Sequence, residues 1–294
     1  MNMYETEHRL TDLELLVIAV NYGSDEATFR LVNSIVPAIE DARASVIVVD
    51  NTRRDDERAY MGRLNGLYPA VVGLASPQNL GYLGGARYGV DRFLSAGGRF
   101  DCLMVSNVDL TLQSLDMMDT IRELLQDETI GVIAPSIVSS RTGRDLNPFL
   151  TGRPKASTMR RYTVLFRYPL VANLYRTVAR PWRNLYRAVR GTRRTAAQEA
   201  HSRTSNDSIY APHGSCMIFT HRYFERGGDL QFPMFLFQEE IYVAEKARKA
   251  GVRVEYEPRI RFVHDEHVST GLWRSRTLCR FAFESARYTS DTFF

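Results

Sequence analysis

The chain has 294 residues, of which 44% are hydrophobic, 24% charged and 11% aromatic, and its formal net charge at pH 7 is +4. This composition is typical of a folded globular protein and excludes disordered, collagen-like and disulfide-scaffold classes. Three widely spaced cysteines, Cys102, Cys216 and Cys279, argue against a disulfide framework or a zinc cluster and favour a reducing compartment. Residues 1–11 lack the apolar core of a signal peptide, and no run approaches the ~18 apolar residues of a membrane span, so we expect a cytoplasmic protein.

The first half of the chain alternates short apolar runs with amphipathic helical patterns. Apolar and β-branched runs predict strands at Leu15–Val20, Val46–Val49, Val71–Leu74, Leu103–Ser106 and Gly131–Ala134. Helical spacing predicts helices after Ser24, at Tyr88–Ala96 and at Asp116–Gln126. This alternation predicts an α/β fold with a mostly parallel central sheet and helices on both faces.

Ligands of such sheets bind beyond the carboxyl ends of the strands, so the polar residues directly after each strand are the candidates for function. In the first half these are Asn21, Tyr22, Asp50, Asn51, the loop Asn79-Leu80-Gly81-Tyr82-Leu83-Gly84-Gly85, Asn107 and Asp109. In the second half they are His213, Gly214 and Ser215, the acid pair Glu239-Glu240 opening a helix, and His264 after a strand at Arg259–Val263.

In this order the motifs resemble those of the family 2 glycosyltransferases, especially the rhamnosyltransferase-like branch. The shared pieces are VNY, VVDN, NLGYLGG, SNVD, HGS, the acid pair and the late histidine, over about Leu15–Gly271. The resemblance implies a GT-A fold and a divalent cation, Mg²⁺ or Mn²⁺. It also implies inverting transfer of a sugar from a nucleotide diphosphate sugar, dTDP-rhamnose or a UDP-hexose, to a hydroxyl of a glycan or lipid-linked glycan.

The resemblance assigns the first-half residues to the nucleotide sugar. The predicted donor contacts are Asn21, Tyr22, Asp50, Asn51, Asn79, Gly81, Gly84, Gly85 and Asn107. Asp109 is the predicted metal ligand, with His264 as a second, because Mg²⁺ and Mn²⁺ prefer oxygen ligands beside substrate phosphates. The alternatives that the local sequence leaves open are turn-forming Asp and Asn residues and an ordinary glycine-rich turn.

Glu240 is predicted to be the general base that takes the proton of the acceptor hydroxyl, with Glu239 beside it. The alternative is that both acids only stabilise a helix N-terminus. His213, Gly214 and Ser215 are expected to shape the acceptor pocket, although a lone histidine is more often structural.

The chain departs from the family pattern at Ala86, Asn107 and Tyr242, and it has Glu240 where the family usually has Asp. These departures support a competing hypothesis, a catalytically degenerate member that binds a nucleotide sugar or a membrane. A nucleotidyltransferase is disfavoured, because the residues 21–24 after the first strand do not form a GxGTR-like loop.

Residues 151–205 form a predicted basic helical insertion between a nucleotide-sugar-binding half, 1–150, and an acceptor-binding half, 206–294, of one GT-A domain. From Arg153 to Arg203 there are thirteen Lys and Arg residues and one acid, a charge of +12 that leaves −8 for the rest of the chain. The residues that share an apolar helical face are Val171, Leu174, Val178, Trp182, Leu185 and Val189. Arginines opposite this face favour a peripheral helix on an anionic membrane surface, on the inner face of the cell membrane. The alternative is packing on the domain or on a second subunit; nucleic acid is disfavoured because no nucleic-acid module accompanies the charge.

Overall fold

The structure, a computed structural model, describes residues 13–40, 42–174, 207–265 and 275–294. Its strands are β1 (Glu14–Asn21), β2 (Arg43–Asp50), β3 (Val71–Ala75), β4 (Cys102–Asn107), β5 (Leu110–Leu112), β6 (Ile130–Ser139), β7 (Asp207–Ile209), β8 (Cys216–Thr220) and β9 (Arg253–His264). Its helices are α1 (Asp25–Ile39), α2 (Glu57–Asn65), α3 (Tyr82–Ser95), α4 (Met117–Leu124), α5 (Ala156–Arg167), α6 (Pro169–Leu174), α7 (His221–Glu225), α8 (Glu239–Lys249) and α9 (Arg276–Phe293).

The described strands form one sheet in the order β3-β2-β1-β4-β8-β6-β9-β5, with β7 also paired to β9. The longest pairings, β1 with β2 and β6 with β9, are parallel, as are β1 with β4 and β2 with β3. The predicted α/β fold with a mostly parallel sheet is therefore confirmed. The antiparallel strand β8, which no sequence pattern predicted, lies between β4 and β6 and so joins the two predicted halves in one sheet.

Helices cover both faces of the sheet, and strand β1 shows how. Successive side chains of a strand point to opposite faces. Leu15 and Val17 share one hydrophobic core with α1, α2 and α4. Leu16 and Ile18 share the other core with α3, α7 and α8. Because β1 is buried on both faces, its sequence between Glu14 and Asn21 is continuously apolar. Its carboxyl end, at Asn21, lies at the edge of the sheet where the candidate functional residues were predicted.

Helix α3 begins at Tyr82, six residues before the predicted start at Tyr88, so the sequence-based boundary was wrong. Gly84 and Gly85 therefore lie in the first helical turn, and not in a loop. Close packing explains the helix in spite of the low helix propensity of glycine. A Cβ built on Gly85 would lie 3.0 Å from Asn51 Nδ2 and 3.1 Å from Val20 Cγ1, so α3 sits directly on the ends of β1 and β2.

The described part of the basic insertion packs partly on the domain. Met159 of α5 is buried, and Thr163 Oγ1 donates to the carbonyl oxygen of Ala286 in α9 at 3.4 Å. The Arg153 guanidinium donates hydrogen bonds to the two carboxylate oxygens of the fully buried Glu245, at 2.6 and 3.2 Å. This ion pair connects the insertion to α8. The remainder of the predicted apolar face, from Val178 onward, lies outside the described residues.

Within the described ranges, no helix combines the length and the apolar character that crossing a membrane requires. Cys102, Cys216 and Cys279 are buried in the fold as thiols. Burial raises the pKa of Cys102 and Cys216 well above the usual value of a thiol.

Candidate active site

Asn21 and Asp50 lie side by side at the carboxyl ends of β1 and β2, because the parallel register pairs them. Both are buried, and Asn21 Nδ2 donates to Asp50 Oδ1 at 3.1 Å and to the Tyr60 hydroxyl at 3.1 Å. The Arg54 guanidinium donates to Asp50 Oδ2 and bridges to Asp25. Asp50 therefore stands in a polar network that the protein itself completes, at the position predicted for the nucleotide.

Arg54, Tyr60 and Asp25 were not predicted from the sequence. The Arg54 guanidinium lies 3.9 Å above the centroid of the Tyr60 ring, a cation–π contact. The two carboxylates of Asp25 and Asp50 hold the pKa of Arg54 above its ordinary value, although burial works against this. Tyr22, in contrast, is 66% exposed beside this network. The network fixes the orientation of the Asp50 carboxylate.

The glycine-rich segment is held by Asn51. Asn51 Nδ2 donates to the carbonyl oxygen of Gly81 at 2.9 Å, and its Oδ1 accepts from the Ser76 hydroxyl at 2.9 Å. Asn79 Oδ1 accepts from the Gly81 amide at 3.1 Å, which closes a tight turn. Gly81 has a φ of 73°, and α3 begins directly after it. Asn51 and Asn79 therefore shape this loop through their side chains.

A cavity of about 430 Å³ opens at the same edge of the sheet, next to the end of β4. Its lining includes the sequence-predicted residues Asn107, His213, Gly214, Ser215, Glu239 and Glu240, together with Gln238, which was not predicted. The structure thus brings the residues predicted for the acceptor and the acid pair together with Asn107. Its aromatic lining comes from Tyr82, which lies in the predicted glycine-rich segment, and from Phe149, Phe166 and Phe237, which sequence reasoning missed. The latter three come from separate parts of the chain, so no local pattern signals them.

The acid pair opens α8 at the wall of this cavity. Glu239 is buried and its Oε1 accepts from the Phe237 amide at 3.0 Å, while Glu240 is partly exposed and accepts from the Gly214 amide. Burial raises the pKa of both carboxyls, and the charge of Glu240 raises that of Glu239 further. The hydrogen bond from the Gly214 amide lowers the pKa of Glu240 and so opposes the effect of burial. The two neighbouring carboxyls therefore hold a proton more readily than free carboxyls do.

The backbone before the acid pair adopts an uncommon conformation. Phe237 and Gln238 have φ values of 74° and 71°, a left-handed conformation that non-glycine residues rarely take. Gln238 is the N-cap of α8, directly before its first residue Glu239. Backbone strain of this kind costs of order 1–3 kcal/mol per residue and clusters at functional sites. The strain favours a functional interpretation of the acid pair over simple helix capping.

Asp109 and His264 meet through strand pairing. The antiparallel register of β5 and β9 pairs Leu110 with His264, and His264 Nε2 lies 3.1 Å from Asp109 Oδ2. The His264 ring stands 6.0 Å from that of His213, measured between centroids. His213 Nδ1 in turn lies 2.8 Å from the Ser215 hydroxyl. The predicted metal ligands are thus neighbours of each other and of the cavity lining.

Asp109 fits a cation site in one respect. Its Oδ1 is buried with no hydrogen-bond partner among the described residues, and a buried carboxylate oxygen normally has one. The described part of the chain contains no group of three or more His, Cys, Asp or Glu side chains that could hold a metal ion by themselves. A cation here would therefore take its other ligands from the substrate and from water, as Mg²⁺ does beside phosphates.

No protein-family model matches the chain. A curated relative is the low-salt glycan biosynthesis hexosyltransferase Agl10 of Haloferax volcanii. It is 25% identical over 284 residues, which cover 96% of this chain and 76% of Agl10.

Solved glycosyltransferases have a similar structure. Mannosyltransferase PcManGT from Pyrobaculum calidifontis, in complex with GDP-Man and Mn²⁺, matches with a TM-score of 0.51 and 12% identity over 97% of this chain and 79% of its own. GalNAc-T7 with UDP, GalNAc and Mn²⁺ matches with a TM-score of 0.60 and 13% identity over 94% of this chain. This chain spans about half of GalNAc-T7, namely 48%. S. aureus TarS 1–349 with UDP-GlcNAc matches with a TM-score of 0.51 and 10% identity over 88% of this chain and 60% of its own.

These likenesses show that the chain has the GT-A fold, as the sequence resemblance implied. With the relationship to a hexosyltransferase along almost its entire length, the chain is a glycosyltransferase of the GT-A type.

Proposed function

We propose that the chain is an inverting family 2 glycosyltransferase with Glu240 as its general base. The observation that carries the proposal is the acid pair, which lines a cavity together with Asn107 at the carboxyl edge of the sheet. Burial raises the pKa of both carboxyls, which suits a group that accepts a proton, and the Gly214 amide donates to Glu240. A charged carboxylate on the cavity wall is the group that proton removal from a hydroxyl requires.

The proposed step is a single displacement. As the acceptor hydroxyl oxygen bonds to the anomeric carbon, its proton passes to Glu240. The bond from that carbon to the donor phosphate breaks, and the nucleoside diphosphate leaves with the electron pair. One displacement inverts the anomeric configuration, through an oxocarbenium-like transition state as in inverting glycoside hydrolysis.

The nucleotide would lie across the ends of β1 and β2. Asn21 and Asp50 meet there, and the amide-rich turn Asn79–Gly81 opens α3 beside them. Solved neighbours of this fold hold UDP, GDP-Man or UDP-GlcNAc, which supports a nucleotide sugar as donor. The resemblance to the rhamnosyltransferase-like branch favours dTDP-rhamnose or a UDP-hexose, and a glycan or lipid-linked glycan as acceptor.

A divalent cation, Mg²⁺ or Mn²⁺, would be held by Asp109, with His264 beside it. The buried Asp109 Oδ1, without a partner among the described residues, fits this role, and two solved neighbours contain Mn²⁺. Such an ion supplies a Lewis acid that stabilises negative charge on a leaving diphosphate.

The test compares the chain with Glu240→Gln in donor hydrolysis and transfer, with and without Mn²⁺. Loss of the base should lower turnover by roughly 10²–10⁴-fold, with little change in donor affinity. A collapse of donor affinity instead would remove Glu240 from the role of base. No release of nucleoside diphosphate from any donor by the unmodified chain would favour the degenerate, binding-only alternative.

We also propose that the basic insertion lies on an anionic membrane surface. Val171 and Leu174 of α6, the described start of the predicted apolar face, are 47% and 57% exposed, and the adjacent Leu170 is 74% exposed. The exposed Arg160, Arg161 and Arg167 of α5 lie nearby in the chain. Apolar side chains beside cations suit the boundary between lipid head groups and acyl chains.

A further inference from the structure

Residues 235–238, which we call the acid-pair loop, run directly into the acid pair. The loop is enclosed from two sides. On one side, a Cβ built on Gly81 would overlap the carbonyl oxygen of Phe235, so the loop passes in contact with the glycine-rich turn. On the other side lies the C-terminal helix α9, whose Ala282 lines the same cavity as Glu239 and Glu240.

Three residues of α9 contact the loop in succession. The Phe281 ring packs on the Phe235 ring, with centroids 4.8 Å apart. The Ser285 hydroxyl donates to the carbonyl oxygen of Leu236 at 2.7 Å. Thr289 Oγ1 lies 3.4 Å from Gln238 Oε1. Because residues four apart lie on one face of a helix, these three form a single row, which we call the α9 row.

The α9 row holds a backbone that would otherwise relax. Phe237 and Gln238 are left-handed, and non-glycine residues keep this conformation only when the surroundings impose it. The hydrogen bond from Ser285 is made at Leu236, directly before that pair, and the bond to Glu239 Oε1 comes from the amide of Phe237 itself. Without the contacts of the α9 row, the loop would shift, and the orientation of Glu240 at the start of α8 would change.

We propose that Phe281, Ser285 and Thr289 are positioning residues, which fix the acid-pair loop so that Glu240 faces the reacting hydroxyl. This inference rests on the proposed function, in which Glu240 is the base. The row does not touch the cavity through its own polar atoms; it acts through the loop. Displacing a reacting group by about 1 Å can cost about 10²-fold in rate. The effect of the row should therefore appear in turnover and not in donor binding.

The test measures kcat, the donor KM and the unfolding midpoint for Phe281→Ala and Ser285→Ala. Each has a matched control on the same helix. Phe283→Ala removes a ring that faces Thr163 and Arg167 of α5, and Ser290→Ala removes a buried hydroxyl one residue beyond the row. We expect kcat to fall about ten- to hundredfold in the row variants, with the donor KM unchanged. Ser285→Ala removes a single oxygen atom and carries the test if Phe281→Ala does not fold. Equal kcat in row and control variants would overturn the proposal.

A second measurement separates this inference from the proposed function. The effects of substitutions that act through the same group do not add, so combining Ser285→Ala with Glu240→Gln should lower kcat no further than Glu240→Gln alone. A full additional loss in the double variant would show that the row acts elsewhere and would overturn the inference alone. Unchanged kcat in Glu240→Gln by itself would instead overturn the proposed function.

Discussion

Gly81 and Phe235 touch backbone to backbone, with no room for a side chain between them. A Cβ on Gly81 would overlap the Phe235 carbonyl oxygen, and the same glycine has a φ of 73°. One contact thus joins the glycine-rich turn, where the donor is proposed to lie, to the loop that leads into the acid pair. The relative position of the two halves of the site depends on this contact.

Gly81→Ala should therefore cost both stability and turnover. The added methyl group meets backbone atoms, which cannot move aside like a flexible side chain, and its left-handed φ is strained for alanine. We expect a loss of about 1–3 kcal/mol in the free energy of unfolding, measured by chemical denaturation, and a fall in kcat.

Gly143→Ala is the matched control, because Gly143 has a φ of 65° and no atom within 4 Å of a built Cβ. It tests the strain of a left-handed alanine without the overlap. If both variants lose the same stability and Gly81→Ala retains full turnover, the contact with Phe235 does not matter for the site.

Strands were predictable because burial on both faces leaves a continuous apolar run, as in β1 and β2. The start of α3 was not predictable, because Gly85 in its first turn packs on Val20 and Asn51, which are distant in sequence. The antiparallel insertion of β8 is equally non-local, since it depends on pairing with β4 and β6.

In the site, too, some features were predictable and others were not. The residues after the strand ends were predictable, since the topology brings these ends to one edge. The side chains that these residues contact were not predictable. The contact of Asp109 with His264 arises from the register of β5 and β9, and the bridge from Arg54 to Asp25 joins the loop after β2 to the start of α1. The predicted roles of these residues stay predictions until activity is measured.

The acid pair should make stability depend on pH. Burial and the Glu240 charge raise the pKa of Glu239 from 4.5 to about 8. Between these values the folded state holds a proton that the unfolded state has released, so the free energy of unfolding falls as pH rises through this window. The slope is at most about 1.4 kcal/mol per pH unit.

Glu239→Gln should flatten this dependence, because the amide cannot ionise and its oxygen can still accept from the Phe237 amide. Denaturant titrations at several pH values from 4.5 to 8 measure the slope. Glu26→Gln is the control, since the Glu26 side chain is 91% exposed and should leave the slope as it is. A slope that Glu239→Gln does not change would show that Glu239 does not hold the proton.

Asp109→Asn should remove the response to a divalent cation. The substitution keeps the shape of the side chain but takes away the charge that Mn²⁺ prefers in its ligands. A ligand that binds the folded state raises its apparent stability, so Mn²⁺ alone, or with UDP, should raise the unfolding temperature of the unmodified chain and not that of the variant.

Asp116→Asn provides the comparison, because Asp116 is an exposed carboxylate on the neighbouring segment before α4. It should retain the full shift with Mn²⁺. Equal shifts in the Asp109 variant and in the unmodified chain would place the cation elsewhere, whatever the effect of Asp109→Asn on activity.

The described arginines of the basic insertion are of two kinds. Arg153 is bound to the buried Glu245 and also donates to the Phe293 carbonyl oxygen at 2.5 Å, so it belongs to the fold. Arg160, Arg161 and Arg167 are exposed on α5 and are available to an anionic surface. Each such cation is worth about 1 kcal/mol near an anionic lipid surface.

Replacing Arg160, Arg161 and Arg167 together by Glu should therefore weaken binding to phosphatidylserine-containing vesicles by about 10²-fold or more, measured by co-sedimentation. The control triple Arg58→Glu, Arg99→Glu and Arg226→Glu changes the net charge equally at exposed positions outside the insertion. It should bind nearly as well as the unmodified chain, because surface attraction falls off within a Debye length of about 8 Å at physiological salt. Equal loss in both triples would mean that net charge alone drives binding. No loss in either would favour packing of the insertion on the domain or on a second subunit.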